Sequence, residues 1–302
     1  MSVLHLSVFF YVWTVSSNPV KIIECPRDGM QGLKQFIPTD KKVAYINKLL
    51  KVGYYALDFG SFVSHQAIPQ MADTAEVIQQ LDLSNTATKL IAIVANERGA
   101  AEACQFPAIH SLGFPFSVSE TFQKRNANST IAEALERVKR IKDLTQKHNK
   151  ELIIYISMGF GNPYGDMYSP QIVEHWVAQL AELDIQTFML SDTVGIAEPK
   201  IIEYLFATLI PAFPQLDIGA HLHTAPHNWK VKIDAAYLNG CTRFDSVIKG
   251  FGGCPMAKDD LLGNMATENL VNYFTPEQLG SGFSISAFEA ALREANVVFP
   301  TH

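Results

Sequence analysis

Short apolar runs alternate with amphipathic segments eight times between residues 20 and 273, and this alternation is what most limits the possible fold. Apolar runs of this length, bounded by turn residues, are typical of strands buried on both faces. The predicted strands are 20–25, 54–60, 89–94, 111–119, 151–160, 187–192, 216–223 and 242–248. Strands that alternate with helices in this way indicate a parallel sheet covered by helices.

Amphipathic segments follow each predicted strand. The predicted helices lie near 39–52, 70–81, 98–105, 129–148, 170–183, 198–210, 228–239 and 264–273, with a closing helix at 286–298. An open doubly wound sheet would carry a glycine-rich dinucleotide turn after its first strand, and CPRDGMQG (25–32) is not one. Eight repeats in 302 residues therefore favour an α/β fold of the TIM (β/α)₈ barrel type with a C-terminal helical extension.

The first 19 residues stand apart from this pattern. MSVLHLSVFFYVWTVSSNP is apolar and has no Lys or Arg, so it matches neither a secretory signal nor a mitochondrial presequence well. Its apolar run is too short to span a membrane. We predict a poorly structured extension at 1–19, with a cleaved signal as the alternative. No low-complexity linker interrupts the rest, which predicts a single barrel domain over 20–302.

Charge and cysteine content exclude several classes of protein. The net charge is −6 and no basic block occurs, so nucleic acid and anionic membrane surfaces are not expected partners. Four cysteines are spread without any CxxC pair: Cys25, Cys104, Cys241 and Cys254. This usage argues against a disulfide scaffold and predicts a cytoplasmic protein.

Charged and metal-binding residue types recur where the predicted strands end, which is where barrel enzymes carry their active sites. His221 and His223 close the seventh strand, and residues two apart on a strand point to the same face. Together with Asp28 and Asn264 they would form a mixed nitrogen and oxygen site suited to Mg²⁺ or Mn²⁺. The alternative is a pair of histidines that are merely polar core or surface residues.

Three further residues invite a chemical interpretation. Arg27 precedes Asp28, and beside a metal its guanidinium could stabilise an oxyanion or enolate; otherwise it forms a surface ion pair. Asp192 in SDTVG ends the sixth strand, or simply caps the next helix. Cys254 follows three glycines in GFGGCPMAKDDLLGN (250–264), and such a loop lets backbone approach a ligand closely. We therefore interpret Cys254 as a reactive residue.

Several of these segments resemble the 3-hydroxy-3-methylglutaryl-CoA lyase family of the DRE-TIM metallolyases. The resemblance runs in order over about residues 20–275, through PRDGMQ (26–31), DFGSFVSHQAIPQM (58–71), FQKRNAN (122–128), YISMGFGNPYG (155–165), LSDTVG (190–195), HLH (221–223), KGFGGCPMA (249–257) and GNMATENL (263–270). It implies a TIM barrel and a retro-Claisen cleavage of hydroxymethylglutaryl-CoA to acetyl-CoA and acetoacetate, a reaction of leucine degradation and ketone-body formation. It also implies an acyl-CoA substrate and a homodimer.

The resemblance assigns roles to individual residues. The divalent cation would bind the substrate's tertiary hydroxyl and a carboxylate oxygen, and its implied ligands are Asp28, His221, His223 and Asn264. The implied catalytic residues are Arg27, which would neutralise the enolate, Cys254, which would transfer a proton to it, and Asp58, Asp192 and Glu268 near the reaction centre. The implied CoA contacts are Lys34, Lys124 and Asn126.

Two departures from the family pattern leave the exact substrate open. Asp58 stands where the family usually has Glu, and Thr224-Ala225 follows the histidine pair where the family usually has Asp-Thr. The alternatives are an aldolase of the same barrel group acting on another 3-hydroxy acid or its CoA thioester, a Claisen condensation enzyme, and a degenerate homologue without activity.

Overall fold

The computed structural model describes residues 19–253 and 262–299, and within them the strands close into a barrel. Eight strands pair in parallel in the order β1-β2-β3-β4-β5-β6-β7-β9, with β9 returning to β1. The barrel strands are β1 (Lys21–Glu24), β2 (Ala56–Ser61), β3 (Lys89–Ile93), β4 (Ile109–Ser117), β5 (Glu151–Ser157), β6 (Thr187–Ser191), β7 (Asp217–His221) and β9 (Arg243–Ser246). Two further strands, β8 (His223–Thr224) and β10 (Gly263–Asn264), form a separate two-stranded sheet. The predicted TIM barrel is confirmed.

Helices surround the barrel. They are α1 (Pro26–Gln31), α2 (Thr39–Leu49), α3 (Thr74–Gln79), α4 (Glu97–Ala103), α5 (Glu120–Ala127), α6 (Ile131–Lys147), α7 (Pro170–Ala181), α8 (Pro199–Ala212), α9 (Trp229–Tyr237), α10 (Thr267–Tyr273), α11 (Pro276–Leu279) and α12 (Ile285–Val298). Two short 3₁₀ helices lie at Pro69–Met71 and Ile248–Gly250. None of the helices in the described part of the chain is both long and apolar enough to cross a membrane.

The barrel strands are apolar on both faces because each face meets a different core. Their inward side chains form a compact cluster that includes Ile23, Ile91, Ile153 and Met189. Their outward side chains pack against the helices in a much larger cluster. A strand with two buried faces shows no polar alternation, which explains why the sequence predicts all eight as continuous apolar runs.

Three helices lie where the sequence predicts only loops: α1, α5 and the four-residue α11. α1 and α5 have six and eight residues, too few turns to produce a recognisable helical period. α1 begins at Pro26, whose fixed φ suits the first helical position. α5 begins after Ser119, whose hydroxyl accepts the Phe122 N–H at 3.2 Å and so caps the helix.

The C-terminal extension is present as predicted. α12 begins after Ser284 and runs alongside α2. Its end carries Phe299, whose ring meets that of Tyr45 edge-to-face at 5.8 Å. The poorly structured extension predicted at 1–19 lies, except for Pro19, outside the residues that the structure describes. The domain limits predicted from the sequence stay predictions.

Candidate active site

A short helix carries Arg27 and Asp28 at the mouth of the barrel. β1 ends at Glu24, and α1 begins two residues later. Both side chains are buried, each residue with 8 % of its surface exposed. The first strand therefore delivers a cation and a carboxylate to the face where barrel enzymes carry their active sites.

His221 and His223 converge on Asp28 from two different strands. The sequence predicts both on the seventh strand, but β7 ends at His221, and His223 begins the two-residue strand β8 (His223–Thr224). The imidazole centroids are 5.5 Å apart, and His221 Nε2 lies 3.8 Å from Asp28 Oδ2. One ligand atom from each of the three residues lies within 4.8 Å of the others, a spacing that one ion could bridge.

Asn264 lies directly across from His223. β8 pairs antiparallel with β10 (Gly263–Asn264), and the register places Asn264 opposite His223. Asn264 Nδ2 donates to the Phe251 carbonyl at 2.9 Å, and its side chain also hydrogen-bonds Asp28. The sequence predicts a helix starting at Asn264, whereas the helix starts at Thr267. The tertiary pairing thus brings the fourth predicted ligand beside the other three.

The chemistry of these residues fits a metal ion. His223 Nε2 is buried and has no hydrogen-bond partner among the described residues, as expected for an atom kept for a ligand. Burial lowers the pKa of His223 to about 4, so its imidazole is neutral. Burial raises the pKa of Asp28, but the Arg27 charge, the two histidines and the Asn264 hydrogen bond together lower it below its usual value. A carboxylate and a neutral imidazole are the forms that bind cations.

Asp245 is a functional candidate that the sequence analysis missed. It lies on β9, is 3 % exposed, and its Oδ2 is 3.0 Å from His221 Nδ1. Burial lowers the pKa of His221, yet the hydrogen bond to Asp245 and its charge raise that pKa above the usual value. A carboxylate on Nδ1 fixes the imidazole so that Nε2 faces Asp28. The signal was a lone carboxylate inside the apolar run TRFDSVI (242–248).

Arg27 is held between two carboxylates. Its Nε lies 3.2 and 3.1 Å from the Asp58 oxygens, one terminal nitrogen pairs with Asp58, and the other donates to Asp28 Oδ1 at 2.9 Å. Burial raises the pKa of Asp58 to about 6, despite the opposing effect of Arg27. Asp58 reaches Arg27 even though it is one methylene shorter than the usual glutamate.

Gln31 completes this cluster, and the sequence analysis also missed it. Its Oε1 accepts from Arg27 at 3.0 Å and its Nε2 donates to Asp28 Oδ1 at 2.6 Å. Residues three and four apart on a helix share a face. That spacing in PRDGMQ (26–31) was the available signal, but α1 was not recognised as a helix.

Comparison with known proteins decides the family. The HMGL-like family model matches residues 20–293. The chain belongs to the HMGL-like family. The cytoplasmic 3-hydroxy-3-methylglutaryl-CoA lyase of Rattus norvegicus is 32 % identical over 88 % of this chain and 77 % of that protein. Hydroxymethylglutaryl-CoA lyase YngG of Bacillus subtilis is 32 % identical over 82 % of this chain and 81 % of that protein.

A solved relative agrees with these matches. The HMG-CoA lyase of Acinetobacter baumannii, determined in complex with coenzyme A and 3-methylmalate, superposes with a TM-score of 0.84. It is 28 % identical, and the match covers 93 % of this chain and 92 % of that chain. The family resemblance and the barrel predicted from the sequence are therefore both confirmed.

Asp192 of this HMGL-like chain lies close to the histidines but is fully engaged. It is 1 % exposed, its Oδ1 accepts the Ala197 N–H at 2.9 Å, and its Oδ2 lies 2.7 Å from Lys232 Nζ. The carboxylate therefore holds the loop after β6. It does not cap the next helix, because the N-cap of α8 is Glu198 and the Ala197 N–H lies before that helix. The catalytic role of Asp192 stays a prediction.

Glu268 forms a hydrogen bond with Lys249, which precedes the glycine-rich segment 250–264. Its Oε2 accepts the Lys249 N–H at 2.9 Å, and Lys249 has a positive φ of 65°. Farther along the loop, Gly252 has a φ of +82°, and a Cβ there would lie 2.6 Å from the Asp28 carbonyl oxygen. The glycine is therefore required by close contact with the backbone of a ligand candidate. Cys254 lies outside the described residues.

The three predicted CoA contacts are exposed. Lys34 follows α1, and Lys124 and Asn126 lie on α5, which follows β4 at the same end of the barrel. Lys124 Nζ forms an exposed ion pair with Glu120 at 3.2 Å. None of the three belongs to the buried cluster around Asp28, and their assignment stays a prediction.

Proposed function

We propose that this HMGL-like protein is a divalent-metal-dependent carbon–carbon lyase that cleaves 3-hydroxy-3-methylglutaryl-CoA to acetyl-CoA and acetoacetate. The observation that carries the proposal is the convergence of Asp28, His221 and His223 beside a buried arginine at the barrel mouth. The named lyases among its relatives support the same reaction.

Asp28, His221, His223 and Asn264 would hold the cation, and oxygen and imidazole ligands with room for substrate suit Mg²⁺ or Mn²⁺. Such an ion, when bound, polarises the substrate's tertiary hydroxyl and a carboxylate oxygen and eases loss of the hydroxyl proton. Asp245 orients His221, and the β8–β10 pairing orients His223 and Asn264.

Arg27 stabilises the charge that develops during bond cleavage. The hydroxyl oxygen loses its proton, the C2–C3 bond breaks, and its electron pair moves onto the thioester as an enolate. A guanidinium already oriented by Asp58 and Asp28 can meet that oxygen without reorganising, which is the condition for effective electrostatic catalysis. Arg27 thus acts on the acetyl-CoA half.

Two groups are proposed for the proton transfers. Asp58 has a pKa raised to about 6 by burial, so it can exchange a proton near neutral pH and is assigned the hydroxyl proton. Cys254 is assigned the proton that converts the enolate to the methyl group of acetyl-CoA. The proton lost and the proton gained balance, so no other reactant is required.

The acyl-CoA substrate is expected to enter over the rim formed by the loop after α1 and by α5. The relative from Acinetobacter baumannii is described in complex with coenzyme A. Lys34 and Lys124 supply exposed positive charge on this rim, and Asn126 supplies an amide. The homodimer and the cytoplasmic location stay predictions.

The direct test is turnover by the purified protein. With Mn²⁺ or Mg²⁺, a thiol reductant and hydroxymethylglutaryl-CoA, we expect acetyl-CoA and acetoacetate in equal amounts. Excess EDTA should abolish product formation, and added Mn²⁺ should restore it. Cys254→Ala should lower kcat at least about 100-fold, in line with loss of a general acid. Cys104→Ala, at a buried cysteine outside the site, should leave kcat unchanged.

The second candidate function is an aldolase acting on a different 3-hydroxy acid or acyl-CoA. The shorter carboxylate at Asp58 and the Thr224-Ala225 sequence after the histidines favour it. Metal-dependent cleavage of another 3-hydroxyacyl-CoA, without acetoacetate from hydroxymethylglutaryl-CoA, would select this candidate. Absence of any bound metal after dialysis would instead indicate a degenerate homologue.

A further inference from the structure

A buried lysine lies behind the candidate metal ligands. Lys232 is on α9 and is 2 % exposed. Its Nζ lies 2.7 Å from Asp192 Oδ2, 2.8 Å from the His223 carbonyl oxygen and 3.2 Å from the Gly195 carbonyl oxygen. These contacts join α9 to β8 and to the loop after β6.

All three donors of the ammonium group are used in this arrangement. A lysine ammonium has three N–H bonds, and here each has an acceptor on a different residue. Asp192 balances the charge, since a buried lysine without an anion would be strongly unfavourable. β8 has only two residues, so the hydrogen bond from Lys232 to the His223 carbonyl oxygen adds a further constraint on the main chain of this short strand.

We infer that Lys232 is a positioning residue that fixes the His223 main chain, and through it the His223 imidazole, in the metal centre. The inference rests on the proposed function, because it takes His223 to be a ligand. Lys232 does not touch the ligand atoms. It acts through the carbonyl of the same residue whose buried Nε2 has no hydrogen-bond partner within the described ranges.

The chain contains a matched control for this role. Lys42 is also 2 % exposed, pairs with Asp73 at 2.7 Å and also donates to a backbone carbonyl, that of Gln70. This pair joins α2 to the segment before α3 and contacts no ligand candidate. Lys42→Met should therefore reproduce the general effect of removing a buried ammonium, without any effect specific to the metal centre.

The test measures Mn²⁺ binding to the chelator-stripped full-length protein by titration calorimetry, with thermal unfolding in EDTA recorded alongside. Loss of a residue that orients a metal ligand typically weakens metal binding about 10–100-fold. We expect Lys232→Met to raise the Mn²⁺ Kd by that factor. Lys42→Met should lower the unfolding temperature comparably and leave the Kd within about twofold of the parent protein.

A double variant separates charge burial from positioning. Lys232→Met combined with Asp192→Asn leaves no unpaired buried charge, so it should regain folding stability if the single variant unfolds. Because the His223 carbonyl still lacks its donor, its Mn²⁺ Kd should stay raised. A parental Kd in either foldable Lys232 variant would overturn the positioning role alone. A parent protein that binds no Mn²⁺ would overturn the proposed metal site itself.

Discussion

Glu24 is expected to make the protein less stable as the pH rises. The residue ends β1 with no exposed surface. Its Oε1 accepts the Ile248 N–H at 2.8 Å, and its Oε2 lies 2.5 Å from Thr267 Oγ1. Burial raises the pKa of Glu24 from 4.5 to about 8, despite these hydrogen bonds. The folded protein therefore keeps a proton that the unfolded chain has released.

The magnitude follows from linkage. Between pH 4.5 and about 8 the folded state binds more protons at this position, so the free energy of unfolding falls with rising pH. Each pH unit is worth about 1.4 kcal/mol. The contribution of Glu24 to the free energy of unfolding is complete below its unfolded-state pKa and is lost as the pH rises through its folded-state pKa. From about pH 6 to about pH 9 the loss is on the order of 3 kcal/mol.

Glu24→Gln tests this reasoning. The glutamine amide matches a protonated carboxyl in shape, and it can accept from Ile248 and donate to Thr267. Urea unfolding of the parent, Glu24→Gln and Glu102→Gln, a control at an exposed position, should be compared at about pH 6 and about pH 9. We expect similar parent and Glu24→Gln stabilities at the lower pH, and a more stable Glu24→Gln protein at the higher one. Equal losses in all three proteins would refute a raised pKa at Glu24.

Three further changes address the site. Asp245→Asn keeps an acceptor for His221 Nδ1 but removes its charge, so the Mn²⁺ Kd in calorimetry should rise about 10–100-fold; an unchanged Kd would contradict the orienting role. Arg27→Met should lower kcat about 100- to 1,000-fold, and a kcat near that of the parent protein would contradict the role of Arg27. Adding Asp58→Asn removes the unpaired carboxylate and should recover thermal stability, but not turnover, because the proposed base is also lost. Gly252→Ala should lower the unfolding free energy by about 1–3 kcal/mol in urea titrations, because φ is +82° and the new Cβ meets the Asp28 carbonyl oxygen; no change would show that the loop adapts.

The departures from the family pattern have different outcomes in the structure. The shorter Asp58 still bonds Arg27, so the change from glutamate does not release the arginine. Thr224 occupies β8, where it pairs with Gly263, and the buried cation near His223 is Lys232. The site around His223 is therefore organised by an ion pair from α9 and the loop after β6, which the HLH motif alone did not indicate.

The sequence by itself determined the barrel and four ligand candidates. Eight apolar runs that alternate with amphipathic segments are typical of a parallel sheet covered by helices on both faces. The hydrophobic pattern was therefore enough to predict the barrel. Asp28 follows the first predicted strand and His221 lies near the end of the seventh, and a barrel brings the ends of all its strands to one face. These inferences need only the local pattern of apolar and polar residues and the fact that the strands of such a fold close into a barrel.

Only the tertiary structure decided how the site is assembled. His223 leaves the barrel to pair with Asn264, and a two-residue strand has no sequence signature. Asp245, Gln31 and Lys232 act through contacts made by folding, and single polar residues within apolar or helical segments are ambiguous in sequence. Hydrophobic periodicity in the sequence indicates which face of a helix or strand is buried. A hydrogen bond between distant elements depends on how those elements pack, and that packing cannot be read from local sequence patterns.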